Sequence, residues 1–261
     1  MIEETLSYLI LGVVQGLTEF LPVSSSGHLT LFSEFLGIKS DDITFKVLVH
    51  VSTALSTIIV FRKDIVDLTL GFPKKTEEGE KARKYILLLA LSAIPAALVG
   101  FTLKDTIEAL DYPQFVGYML IVTALILLAS QKLNSHLEKN LGISNSILIG
   151  ISQAFAILPG VSRSGVTIST ALVLGWKRSD AAKFSFLLGI PAISIASIVE
   201  LISYLNKFNS FSFLPLIVGL ITTFVSSLFA IDFLLRYFSS NGLKIFIIYR
   251  VVFGFLILLN L

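Results

Sequence analysis

Long apolar runs separated by short polar breaks dominate the chain. Six of them, residues 43–61, 85–103, 113–130, 181–204, 213–235 and 243–259, are long enough to cross a bilayer as helices, which takes roughly 17–25 residues. Two further apolar regions, 5–36 and 144–176, are broken near their middles by Pro, Gly and Ser. Each broken piece is about a dozen residues long, too short to span a bilayer at about 1.5 Å per residue. Each region is therefore expected to form a helix–loop–helix hairpin that enters and leaves the membrane on one side. Irregular backbone at that depth needs protein or a watery cavity to satisfy it. The pattern predicts an all-α integral membrane protein. It has six transmembrane helices plus two re-entrant hairpins in one membrane domain covering 1–261.

Composition narrows the picture. Of the 261 residues 54% are hydrophobic and 15% charged, and the mean hydropathy is +0.86. A soluble domain carries about a quarter charged residues. An ordinary cytosolic enzyme, a disordered chain and a nucleic-acid binder resting on a basic surface are excluded. With no Cys there is no disulfide framework, thiolate metal site or Cys nucleophile. The opening Met1-Ile2-Glu3-Glu4 is acidic where a leader would be basic, so no cleaved leader is expected. Twelve of the 38 charges fall in residues 62–84, which read as a hydrophilic loop. Placing that loop in the cytoplasm puts 14 of the 20 Lys and Arg residues on the cytoplasmic side and 4 outside. This bias sets the orientation and leaves both termini external.

The two broken regions repeat one another. At a constant offset of 138, Gly12, Gln15, Val23, Ser24, Ser26 and Gly27 meet Gly150, Gln153, Val161, Ser162, Ser164 and Gly165, and Asp42 meets Asp180. Repeat one covers about 5–130 and repeat two about 144–260. Each is one hairpin plus three spans. Three is odd, so the second repeat starts from the opposite side and its hairpin dips toward the first. Interrupted helices at matching places in two halves point to an inverted-topology repeat with its site at the interface.

The two tips carry the candidate chemistry. Pro22, Pro159 and Gly160 end the first half-helices. Ser24 and Ser162 are good N-caps for the second. The free N–H groups there, including those around Gly27 and Gly165, can bind an anion. Ser26, Ser164 and Thr167 add hydroxyls. Arg163 is costly inside a membrane, and its fork matches phosphate oxygens in pairs. Glu19 beside a phosphate would repel it. Either a divalent cation bound by Glu19 and Gln15 removes the conflict, or Glu19 pairs with Arg163 or is protonated. His28 can move a proton. Among Ser24, Ser25 and Ser26, one can serve as nucleophile while the others cap. Arg250 and Asp232 are expected to form a structural ion pair. His50, Glu200 and His136 carry less weight.

At these residues the chain resembles the undecaprenyl-diphosphate phosphatase family of the bacitracin-resistance type. The motifs are the run from Gly12 to His28 and Pro159-Gly160-Val161-Ser162-Arg163-Ser164-Gly165-Val166-Thr167. The resemblance implies removal of the terminal phosphate from undecaprenyl diphosphate, in a cell membrane, to regenerate the carrier lipid for cell-wall synthesis. It also implies Mg²⁺ or Ca²⁺ and a site open to the external side. The family's first acidic position is Glu or Gln. Gln15 holds it here and cannot act as a base. In the expected mechanism Arg163, Ser162, Thr167 and the half-helix N-termini hold the diphosphate, and Glu19 with Gln15 holds the cation. Ser25 attacks phosphorus or positions water, and His28 carries the proton. A phosphoserine intermediate stays open. The partners expected are a polyprenyl diphosphate lipid and the membrane, with a homodimer allowed and no nucleic acid. The rival reading is a polyprenyl-phosphate flippase using the same anion site.

Overall fold

The computed structural model describes residues 2–37, 43–133, 142–204 and 213–260. Asp42 and His136 lie outside the described residues, as does the side chain of Glu200. Among the described residues there are twelve helices and no strand. They are α1 (Ile2–Phe20), α2 (Ser25–Phe35), α3 (Ile43–Val60), α4 (Arg62–Gly71), α5 (Glu77–Thr102), α6 (Lys104–Glu108), α7 (Pro113–Leu133), α8 (Ile143–Phe155), α9 (Arg163–Val173), α10 (Arg178–Tyr204), α11 (Phe213–Ser240) and α12 (Lys244–Asn260). Four of these, α5, α7, α10 and α11, are long and apolar enough to cross a membrane. Large apolar side chains such as Leu98, Phe101, Ile198, Phe229 and Val252 are exposed, as a lipid-facing surface requires.

Both broken regions form a helix, a turn and an 11-residue helix. Each second helix is capped by the serine expected. Ser24 Oγ accepts from Gly27 N at 3.4 Å and Ser162 Oγ from Gly165 N at 3.1 Å. Two lengths differ from expectation. Helix α1 has 19 residues, not about a dozen, because Glu3 and Glu4 suit the positive end of its first turn. The segment read as a hydrophilic loop is helical except around 72–76. Thr76 caps α5 by accepting from Gly79 N at 3.3 Å, and Glu77, Glu78 and Glu80 fill its first turn. The exposed ends of α4 and α5 are thus polar helix, which a composition reading cannot tell from polar loop.

Small residues set the helix spacing. Helix α1 lies along α11, where Gly12 and Gly16 leave no room for a Cβ against Gly219, Thr222, Thr223 and Ser226. Helix α8 lies along α5 in the same way, with Gly150 against Ser92 and Pro95. Such stripes let helices approach where no hydrophobic force separates helix from lipid. Ser92 Oγ also donates to Ser146 O at 2.9 Å, and Gln153 Nε2 to Ser92 O at 3.2 Å. Helix α12 packs on α7, and α3 on both α10 and α11. The largest buried cluster, with Phe20, Phe184, Phe186 and Ile231, joins the end of α1 to α10 and α11. This packing holds the turn 21–24, after α1, against the turn 156–162, after α8.

Candidate active site

The two turns touch. A Cβ on Gly27 would lie 3.5 Å from Gly160 Cα, and Ser164 Oγ donates to Leu21 O at 3.3 Å. Gly160 has φ +85°, and a Cβ there would meet Val116 O at 2.7 Å. Only glycine makes that bend without strain. Ser24 has φ +77°, the one non-glycine residue at positive φ among the described residues. Strain of this kind persists only where the surroundings over-determine it, and it clusters at functional sites.

Across this contact runs a chain of polar groups. Arg163 Nη2 donates to Glu19 Oε1 at 2.9 Å, and Nη1 donates to Ser185 O at 3.0 Å. Ser25 Oγ donates to Glu19 Oε2 at 2.7 Å, and Gln15 Nε2 to the same oxygen at 3.1 Å. His50 Nε2 lies 3.9 Å from it. Glu19 is therefore not a lone carboxylate. The alternative pairing with Arg163 is the arrangement adopted. Ser25 and Arg163 are partly exposed and Ser26 is exposed, so the chain is open on one side.

The remaining expected residues divide by what they touch. Ser24 and Ser162 are buried caps, 3.3 Å from Ser26 Oγ and 3.1 Å from Ser164 Oγ respectively. Thr167 is buried, donating to Arg163 O at 2.7 Å, with Ser185 Oγ also 2.7 Å away. Gly165 gives its N–H to Ser162. Neither ring nitrogen of His28 is hydrogen-bonded to Ser25, Glu19 or Arg163. Its Nδ1 is 2.6 Å from Ser24 O and its Nε2 2.5 Å from the Tyr249 hydroxyl. A carbonyl only accepts, so Nδ1 carries the proton and Nε2 accepts from Tyr249. The ring also stacks on Phe253. Asp232 pairs with Arg236 on its own helix at 2.9 Å, not with Arg250. An i, i+4 partner on an exposed face needs no burial, whereas Arg250 is fully buried elsewhere.

Two groups here carry oxygens of the kind a hard cation takes, the Glu19 carboxylate and the Gln15 amide, whose Oε1 is buried without a hydrogen-bond partner while its Nε2 faces Glu19. No group of three or more His, Asp or Glu able to hold a metal occurs among the described residues. A cation of the Mg²⁺ kind needs only one or two carboxylates when substrate phosphates supply the rest. A cavity of about 780 Å³ lies elsewhere, lined by Asp64, Tyr85, Trp176 and Lys183 among others, and contains none of these groups.

Residues 8–256 match the family model described as bacitracin resistance protein BacA. The chain belongs to the BacA family. Similar proteins include the undecaprenyl-diphosphatase of Prochlorococcus marinus strain MIT 9312, 49% identical over 100% of both chains. That of strain MIT 9301 is 50% identical over 99% of this chain and 100% of its own. The undecaprenyl-diphosphatase of Christiangramia forsetii is 40% identical over 94% of each.

Within this BacA-family site, sequence reasoning undervalued His50 and Arg250 and missed Tyr249, Ser185 and Gly189. A Cβ on Gly189 would lie 2.5 Å from Arg163 Nη1, so its bare Cα gives the guanidinium room. His50 and Arg250 did carry a signal, being ionisable groups inside apolar spans. Ser185 and Gly189 carried none, because a Ser or Gly in an apolar helix is ordinary.

Proposed function

We propose that this chain removes the terminal phosphate of undecaprenyl diphosphate at the junction of the two turns, leaving the monophosphate carrier lipid and inorganic phosphate. The observation that carries this reading is the continuous link from Ser25 through Glu19 to Arg163, which joins residues flanking both turns. The BacA-family membership and the relatives' printed activity give the substrate. A carboxylate at hydrogen-bond distance from a serine hydroxyl is a base placed for its proton.

The N–H groups of Arg163 not engaged by Glu19 and Ser185 O take oxygens of the diphosphate, aided by the N-termini of α2 and α9. Ser25 Oγ attacks the terminal phosphorus, or orients the water that does, while Glu19 accepts the proton. The bond to the bridging oxygen breaks, and undecaprenyl monophosphate leaves. If phosphoserine forms, water hydrolyses it with Glu19 again as base. Ser26, exposed at the start of α2, is placed for the phosphate, and Ser162 caps the helix that carries Arg163. His28 holds the turn through Ser24 O, and in this reading the first proton goes to Glu19, the group hydrogen-bonded to Ser25 Oγ. Glu19 and Gln15 would hold Mg²⁺ or Ca²⁺, which supplies charge neutralisation on the transferring group.

The finer topology belongs to the same proposal. Helices α3 and α12, with 18 and 17 residues, complete six spans, and α8–α9 forms a re-entrant hairpin. Helix α1, with 19 residues, is long enough to span, so α1–α2 is placed as the matching hairpin by the repeat and by its turn's contact with Gly160, not by length. The pairing of Gly12 with α11 and of its repeat mate Gly150 with α5 supports an inverted repeat. The Lys and Arg bias supports external termini and an external opening.

Phosphate release from undecaprenyl diphosphate by the purified protein in detergent tests the reading. Release should stop with EDTA and return with Mg²⁺ or Ca²⁺. Folded protein that releases no phosphate, yet moves the intact lipid across vesicles, would make it a flippase.

A further inference from the structure

Arg250 is fully buried on α12, and the reaction as described makes no use of it. A guanidinium without a carboxylate partner is expensive to place inside a membrane protein. Its donors go instead to backbone oxygens. Nε donates to Leu120 O at 3.1 Å and Nη2 to Met119 O at 3.5 Å, both on α7. Nη1 donates to Pro22 O at 3.1 Å and Nη2 to Gly160 O at 2.8 Å. The last two acceptors belong to the two different turns of the active site.

Those carbonyls are the ones in need of a donor. Pro22 and Gly160 sit outside the helices, in bends that leave their oxygens off any helical ladder. One planar fork bridging both fixes how far apart the turns stand. The register passes along short covalent paths. Two residues past Pro22 is the strained Ser24, and next is Ser25, hydrogen-bonded to Glu19. Three residues past Gly160 is Arg163, on the other oxygen of Glu19. Tyr249, the neighbour of Arg250, holds the same turn from beneath through His28 and Ser24 O.

We propose that Arg250 is a positioning residue for phosphoryl transfer, its guanidinium bracing the two turns so that Ser25 and Arg163 meet Glu19 from opposite sides. The role rests on the hydrolase reading for its consequence, but the brace itself is measurable without activity. Arg250→Lys keeps the charge and most of the stem and loses the fork. Arg250→Met keeps the stem alone. Both are made in the full chain and compared with wild type for elution on size exclusion, for kcat and KM with undecaprenyl diphosphate, and for hydrogen exchange at 22–28 and 158–163.

The expected result is a folded protein whose kcat falls at least tenfold for Arg250→Lys and further for Arg250→Met. KM stays within about threefold, and amide exchange rises at those two segments ahead of the rest of the chain. Wild-type kcat and exchange in a folded variant would overturn the brace. So would a raised KM at unchanged kcat, which would make Arg250 a substrate contact, or failure of both variants to fold, which would make it purely structural. If wild type itself releases no phosphate, the hydrolase reading fails on its own, and the exchange pattern still decides the brace.

Discussion

Replacing Glu19 by Gln tests the site at its most connected atom pair. The substitution keeps size and can still accept from Ser25, but it leaves Arg163 without its counter-charge. The pair is 2.9 Å apart with side-chain exposures of 14% and 7%, so little water screens it. At an effective dielectric of about 20, unit charges at that separation attract by roughly 6 kcal/mol. Removing one partner of a buried pair costs about 3–5 kcal/mol. Arg163 keeps its bond to Ser185 O and part of its exposure, so the lower end, about 3 kcal/mol, is expected. Adding Arg163→Met removes the stranded charge and should restore about 2 kcal/mol of that loss. Activity should behave otherwise. Loss of the base lowers kcat by about 10³-fold, and the double variant stays inactive because the phosphate fork is gone as well. The assay is a double-mutant cycle in detergent, with unfolding midpoints for stability and phosphate release for turnover. Stability effects that add within about 0.5 kcal/mol would mean that the two groups do not interact. Wild-type turnover by Glu19→Gln would remove the carboxylate from the mechanism.

Three glycines give further expectations. In Gly189→Ala the new methyl meets the far end of a flexible side chain, so the fold should lose less than about 1 kcal/mol. The displaced guanidinium should lower kcat by about 10²-fold, and equal losses of stability and activity would contradict that. Gly160→Ala forces a side chain onto positive φ and against Val116 O and Met119, which should cost at least about 2 kcal/mol. Gly37→Ala, at φ +64° with open space around it, should cost only about 1 kcal/mol for its backbone. Equal unfolding midpoints for the two would refute the close-packing argument.

Much of this was legible in the residues alone. An apolar run of bilayer length has few fates, and a Ser after a Pro-broken helix has one obvious use. The helical fold and the capped turns at Ser24 and Ser162 therefore followed from local rules of propensity and hydrogen bonding. Glu19, Ser25 and Arg163 stood out because charge is expensive in such surroundings. What each side chain touches was not local. Both Glu–Arg pairing and cation binding satisfied the composition at Glu19, and only the packing of α10 beneath the second turn brings Arg163 to it. His28 and Ser25 are three residues apart on one helix, yet Ser25 is bonded to Glu19 and His28 to Ser24 O and Tyr249. Arg250 was assigned a carboxylate on the neighbouring helix, because charge seeks charge in a one-dimensional reading. In three dimensions backbone carbonyls from two distant bends satisfy it, and no sequence spacing records that meeting.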